Sequence, residues 1–240
     1  MTGAEAVPAV VTLHLWGVPL SQVPSAFVAM GRDRGPVHRL PGLTFAKLLG
    51  TGNGRTFTPR DANARRWGLL SCWSDSASAE QFEQSSVARR WANRSCDGEQ
   101  LRICMEPLAS KGTWAGRQPF GNPAPRPYEG PIAALTRARI KPSLTRAFWA
   151  AVPPVSSRLH AFPGLVATLG IGEAPVGLQG TFSLWESATA LNDFAYRSPE
   201  HQAVVSATHE RGWYVEELFA RLAVRSAVGR LGGVEIDIVT

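Results

Sequence analysis

The chain repeats itself, and that restricts its fold more than any other feature. Gly68-Leu69-Leu70-Ser71-Cys72-Trp73 returns as Gly180-Thr181-Phe182-Ser183-Leu184-Trp185, and Phe82 and Ser86 return as Phe194 and Ser198, all at a shift of about 112 residues. Upstream, Pro41-Gly42-Leu43 is echoed by Pro163-Gly164-Leu165, and Gly50-Thr51-Gly52 by Gly170-Ile171-Gly172, at shifts up to about ten residues longer. Two copies of one supersecondary unit, separated by loops of unequal length, predict two like halves.

Each copy reads as β-α-β-β-α-β. In the first, β-branched and apolar residues make Val10–Trp16 a strand, followed by a helix from about Pro24 to Met30. Leu43–Leu49 and Gly68–Trp73 read as strands around a Gly/Thr/Asn-rich loop, Thr51–Arg60. Ser76 or Ser78 caps a helix predicted to run through Trp91, and Gln100–Met105 returns as a strand. The second copy offers strand Ile132–Arg139, helix Leu144–Ala151, strands Leu165–Gly170 and Thr181–Trp185, helix Ala188–Tyr196, a further helix from Ser198, and a strand near Leu218–Val224. The boundaries that follow are a first ferredoxin-like half over 1–117, a Pro-rich linker over 118–130, a second half over 131–225, and a tail over 226–240 with an edge strand in Val234–Val239. The expected fold class is α+β, two tandem ferredoxin-like halves in a pseudo-repeat of the dimeric α/β-barrel type. Packed sheet against sheet, they would leave a cavity between the sheets or between sheet and helices.

Composition narrows the partners. At 240 residues and 44% hydrophobic content the chain can bury a sizeable core. A balance of 25 Lys+Arg against 19 Asp+Glu gives +6, which suits an acidic ligand, a nucleic acid or an anionic membrane surface. The arginines are scattered without a basic run, so a generally basic surface is expected and no nucleic-acid partner, with peripheral membrane contact and a homodimer both compatible. Cys72, Cys96 and Cys104 lack C-x-x-C spacing and read as reduced thiols. With no basic n-region before an apolar core at the N-terminus and no apolar run of spanning length, a cytoplasmic protein is expected.

The stretch Ser198–Val224 carries the most chemistry. Ser198 at the N-cap and Pro199 at the first helical position start a helix. His201, Val204, Val205, Thr208 and His209 recur near its period, which sets His201 on or beside a partly apolar face. Among the other histidines, His14 is mid-strand, and His38 and His160 precede Pro-Gly-Leu turns where exposure is the ordinary state. Glu216-Glu217 reads as solvated or structural carboxylates. The Gly50–Gly54 glycines lack the helix that a dinucleotide loop needs.

Several blocks together resemble the spheroidene monooxygenase family of bacterial carotenoid biosynthesis. They are LPGLTFAKLLGTGNGRTFTP (40–59), GPIAALTRARIKP (130–142), GIGEAP (170–175), QGTFSLWES (179–187), and SPEH with RGWYVEELFARL (198–222). The resemblance spans about residues 8–225. It implies an enzyme that binds haem b and uses O2 and an electron donor to oxidise an apolar substrate, a carotenoid. On that footing His201 is the expected iron ligand, against the reading of a solvent-facing helix residue, and His209, about 12 Å further along the helix axis, is the second choice. Lys47, Arg55, Arg137 and Arg139 are the expected partners of the haem propionates, against the reading of ordinary surface charges. Trp73, Phe82, Trp149, Phe182, Trp185, Phe194 and Trp213 could line an apolar pocket or simply form core. A haem dehydratase or peroxidase-like enzyme, a cofactor-free monooxygenase and a non-catalytic haem-binding protein stay open as alternatives.

Overall fold

A computed structural model describes residues 5–54, 61–95, 98–144, 159–173, 180–197 and 213–240. Among these residues nine strands form one antiparallel sheet: β1 (Val10–Gly17), β2 (Leu43–Gly52), β3 (Ala62–Trp73), β4 (Gln100–Gly112), β5 (Ile132–Ile140), β6 (Leu165–Gly172), β7 (Gly180–Trp185), β8 (Tyr214–Leu231) and β9 (Val234–Val239). Their order is β4-β1-β3-β2-β6-β7-β5-β8-β9, and β4 also pairs with β8. The first eight in that order therefore close into a barrel, with β9 as an appendage. Each half has the ferredoxin-like order the repeat predicts, β4-β1-β3-β2 and β8-β5-β7-β6.

The halves pack through their inner faces, as expected, and are also hydrogen-bonded edge to edge. One seam is short, with Gly50↔Gly172, Thr51↔Ile171 and Gly52↔Gly170 joining β2 to β6. The other is long, running from Leu101↔Gly229 to Gly112↔Leu218 between β4 and β8. Glycine sits at both ends of the long seam because no side chain fits there: a Cβ on Gly112 (φ 95°) would lie 2.1 Å from the Glu217 carbonyl oxygen, and one on Gly229 (φ 133°) 2.0 Å from that of Gln100. Hydrogen bonding two open sheets along both edges removes the edges. It also completes within one chain a barrel for which a single half would need a second copy.

Side chains that alternate inward along these strands fill the barrel, among them Leu13, Leu70, Ile103, Met105, Phe182 and Leu222, each at most 1% exposed. The expected space between two sheets is thus a packed core. Burial of side chains of this size stabilises by roughly 1.5–3 kcal/mol each.

Helices cover the outer face. Among the described residues these are, in the first half, α1 (Val23–Arg32), α2 (Arg34–His38), α3 (Ser76–Glu83) and α4 (Ser86–Ala92) and, in the second, α5 (Ala188–Arg197). The one helix expected through Trp91 is two. Ser85 turns extended (ψ 154°) and its hydroxyl accepts the Ala88 N–H, so it ends one helix and caps the next. The 225/226 boundary falls inside β8, which runs on to Leu231, turns through Gly232 and Gly233 (φ 62° and 81°) and returns as β9. That is a two-residue hairpin loop with both central residues left-handed, and β9 is the edge strand read in the sequence. Residues 118–130 contain neither helix nor strand. The helices read over Leu144–Ala151 and from Ser198 fall, apart from Leu144, outside the described residues.

Candidate functional site

Register places the two halves residue on residue. Trp73 pairs with Val10 and Leu43, and Trp185 with Ile132 and Leu165. Stepping outward along the strands, His14, Trp16, Leu48 and Leu69 of the first half correspond to Thr136, Ala138, Gly170 and Thr181 of the second. All four first-half side chains are buried. Trp16 stacks on Trp91 of α4 at 5.5 Å, Trp67 tilts against the same ring at 6.5 Å, and His14 lies between Trp16 and Phe82. His14 Nε2 also bonds Glu83 at 2.7 Å, with Arg102 on the same carboxylate oxygen. Burial pushes the Glu83 carboxyl up, but His14 and Arg102 outweigh it and hold it below the usual range.

At the matching second-half positions an indole, an imidazole and two isobutyl groups are missing. Nearer the β5 start the two faces agree: Trp185 packs on Phe194 of α5 at 5.4 Å, as Trp73 packs on Phe82 at 5.7 Å. The second-half face is therefore full at one end and floored with small residues at the other. Two hydroxyls of this face are bonded within the protein, Thr168 Oγ1 donating to the Phe182 carbonyl and Ser183 Oγ accepting the Trp185 indole N–H. Small residues thus stand side by side on β6, β7 and β5 at this end of the face.

Of the residues expected to hold a cofactor, His201, His209 and Arg55 lie outside the described residues. Lys47 and Arg137 are brought together, but elsewhere. Both follow the inward alternation and meet at one end of the barrel. Lys47 Nζ lies 2.7 Å and Arg137 Nη2 2.9 Å from opposite oxygens of Glu173, and Arg137 Nη1 bonds Glu216. The Trp114 indole N–H also donates to Glu173, its ring lying 5.7 Å from the guanidinium, and Glu216 accepts from Thr113 and the Gly116 N–H. Arg137 is 2% exposed and stands where the first half has Leu15, so its charge is neutralised within the barrel end. Arg139, two residues on along β5, is exposed.

Desolvation raises the pKa of both glutamates. It is outweighed at Glu173 by Lys47, Trp114 and Arg137, which hold the carboxyl below its usual range. At Glu216 the Gly116 N–H and Arg137 bring it down to about 2. The reading of Glu216 as a structural carboxylate agrees with this position. Glu173 and Trp114 were not singled out in the sequence; partners 36 and 59 residues from Glu173 leave no local spacing to read.

His38 and Arg34 line a pocket of about 180 Å³ beside β2, together with Lys47 and Glu173. His14 is a packed, bonded residue of the first-half face, and His160 is exposed.

No family model matches the chain. It is 35% identical over 215 residues to spheroidene monooxygenase of Rhodobacter capsulatus, covering 87% of each chain. The chain belongs to the spheroidene monooxygenase family. A second member, from Rubrivivax gelatinosus, is 37% identical over 194 residues, covering 79% of this chain and 72% of that one. Family membership makes the chain an oxidoreductase of the monooxygenase class. Among solved structures, aldoxime dehydratase superposes with a TM-score of 0.62 at 11% identity, covering 99% of this chain and 91% of that one. An aldoxime dehydratase in complex with butyraldoxime gives 0.58 at 10% identity, covering 90% and 79%. What is shared with these at such identity is the tandem ferredoxin-like fold.

Proposed function

We propose that the chain is a haem-dependent monooxygenase that oxidises an apolar organic substrate, a carotenoid as in its named relatives, using O2 and an electron donor. The single observation behind this reading is the second-half outer face, where Thr136, Ala138, Gly170 and Thr181 stand in place of His14, Trp16, Leu48 and Leu69. A face that carries small side chains where its counterpart carries large ones fits a flat apolar group. Haem b would supply oxygen activation at its iron. The chain's part would be to bind and orient: His201, or His209 in its place, would hold the iron, and Arg139 and Arg55 would neutralise the propionates. Lys47 and Arg137 act instead as ties across the barrel end. We place the enzyme in the cytoplasm, a reading supported by the free thiols of Cys72 and Cys104.

Haemin titration followed by absorption tests the reading. The wild type is expected to develop a Soret band, and Ala138→Trp with Thr181→Leu, which rebuild the first-half packing, to lose it while keeping the far-UV circular dichroism of the parent. His201→Ala is expected to shift or abolish the band. A wild type that gives no Soret band at any loading would sink the haem reading. Binding retained in His201→Ala would move the ligand to His209. Haem binding without O2-dependent turnover of a carotenoid, with a reductant supplied, would leave a dehydratase or a carrier.

A further inference from the structure

We propose that α1 and the turn preceding it form a docking surface for an anionic lipid bilayer. Leu20, Phe27 and Val28 are 75%, 52% and 65% exposed, and Pro24 and Gly31 are exposed beside them. Positions 20, 24, 27, 28 and 31 make one helical stripe, and none carries a polar side chain. The opposite face of α1 is equally apolar: Ala26 and Ala29 are fully buried, and Val23 and Met30 pack against the first-half core. A surface helix ordinarily turns charged residues outward. This one turns outward a leucine, a phenylalanine and a valine, a surface that calls for a partner.

Charge selects which partner. Arg65 is exposed at the Leu20 end, where its Nε donates to the Val18 carbonyl, and Arg32 and Arg34 are exposed at the other end. Residues 18–32 contain no carboxylate, and the nearest, Asp33, is fully buried and bonded to Arg32 and Arg90. The stripe is thus apolar along its length and cationic at both ends. Two copies stacked antiparallel on this stripe would set arginines against arginines, whereas anionic headgroups would neutralise them while the apolar residues enter the headgroup–acyl boundary. The contact is independent of haem and of the second-half face. Its consequence for an enzyme with an apolar substrate is delivery, since such molecules are dissolved in the bilayer.

Flotation of the full chain with vesicles measures this directly. Binding to phosphatidylcholine mixed about 2:1 with phosphatidylglycerol is expected to exceed binding to pure phosphatidylcholine by about tenfold or more, and to weaken with added salt. Phe27→Ser with Val28→Ser is expected to lower the partition coefficient by at least about tenfold. The thermal midpoint should be unchanged, because both side chains already face water. Equal binding to the two vesicle types, or undiminished binding of the double variant, would overturn the proposal. So would a dimer in solution that the same double variant dissolves, which would give the stripe to a second copy. Haemin loading, measured in parallel, reports on the cofactor separately.

Discussion

The two outer faces of the barrel start alike and end differently. Near Trp73 and Trp185 both pack an indole against a helix phenylalanine at almost the same distance, 5.7 and 5.4 Å. Further along, the first half continues with a Trp16–Trp91–Trp67 stack under α4, while the second continues with threonine, alanine and glycine. One face has given its volume to side chains and the other has withheld it. In a closed barrel the filled half fixes the frame on which the second half carries small residues at the matching positions.

Mutations that exchange the two conditions test this comparison, and the largest effect should come from emptying the full face. Trp91 is completely buried between two other indoles, so Trp91→Ala is expected to cost about 3–5 kcal/mol in urea denaturation. Ala138→Trp, the reverse change on the second face, adds an indole at a position only 6% exposed and should cost less, about 1–3 kcal/mol. A comparable loss from both variants would mean that the second face is as tightly packed as the first.

The barrel interior offers a second contrast, Leu15 against Arg137. Arg137→Leu makes the halves alike at this layer and leaves Glu216 without its cation, for an expected loss of about 3–5 kcal/mol at neutral pH. The sign of the pH dependence follows from Glu216. Its folded pKa, about 2, lies below the value of 4.5 for a free glutamate. Its contribution is therefore fully present above pH 4.5 and is lost as pH falls toward 2, about 3 kcal/mol over that window. Glu173 and Glu83 add in the same direction, both being held below their usual range. Denaturation midpoints taken down that window should fall steeply for the wild type and more shallowly for Arg137→Leu. Parallel profiles would show that Arg137 does not hold Glu216 down.

Much of the fold was legible because period and punctuation act locally. The repeated Gly68–Trp73 and Gly180–Trp185 blocks are strands β3 and β7, and the alternation of Val234–Val239 marks β9. What escaped was set at a distance. The joining of two sheets by their edges rests on Gly112 and Gly229 tolerating close carbonyls of residues more than a hundred positions away, and no local window contains that. Lys47 and Arg137 looked like rim cations because a lone basic residue in a strand carries no mark of its partner; Glu173 and Glu216 supply those partners through space. The face of small residues was invisible for a related reason: those at 136, 138, 170 and 181 mean nothing singly and become a set only when the register aligns them with His14, Trp16, Leu48 and Leu69.

The smallest expected effect tests whether the helices on the two faces are entered in the same way. Asp75 caps α3 by accepting the Ser78 N–H at 2.7 Å, and Ser187, its counterpart, caps α5 by accepting the Ala190 N–H at 3.2 Å. Ser187→Ala should cost about 1 kcal/mol, with a cost that does not change with pH because a hydroxyl does not titrate there. Asp75 adds a charge to the same geometry, and its bonds to the Ser78 N–H and to the Ser74 and Ser78 hydroxyls hold its carboxyl below the usual range. Its contribution is present above the ordinary aspartate pKa and disappears as pH falls through the lowered folded value. Asp75→Ala should therefore cost less in acid than at neutral pH, while Ser187→Ala costs the same at both. If the Ser187 variant also becomes milder in acid, α5 is held at its start by a charge rather than by a hydroxyl, and the two faces differ at their entry as well as at their open end.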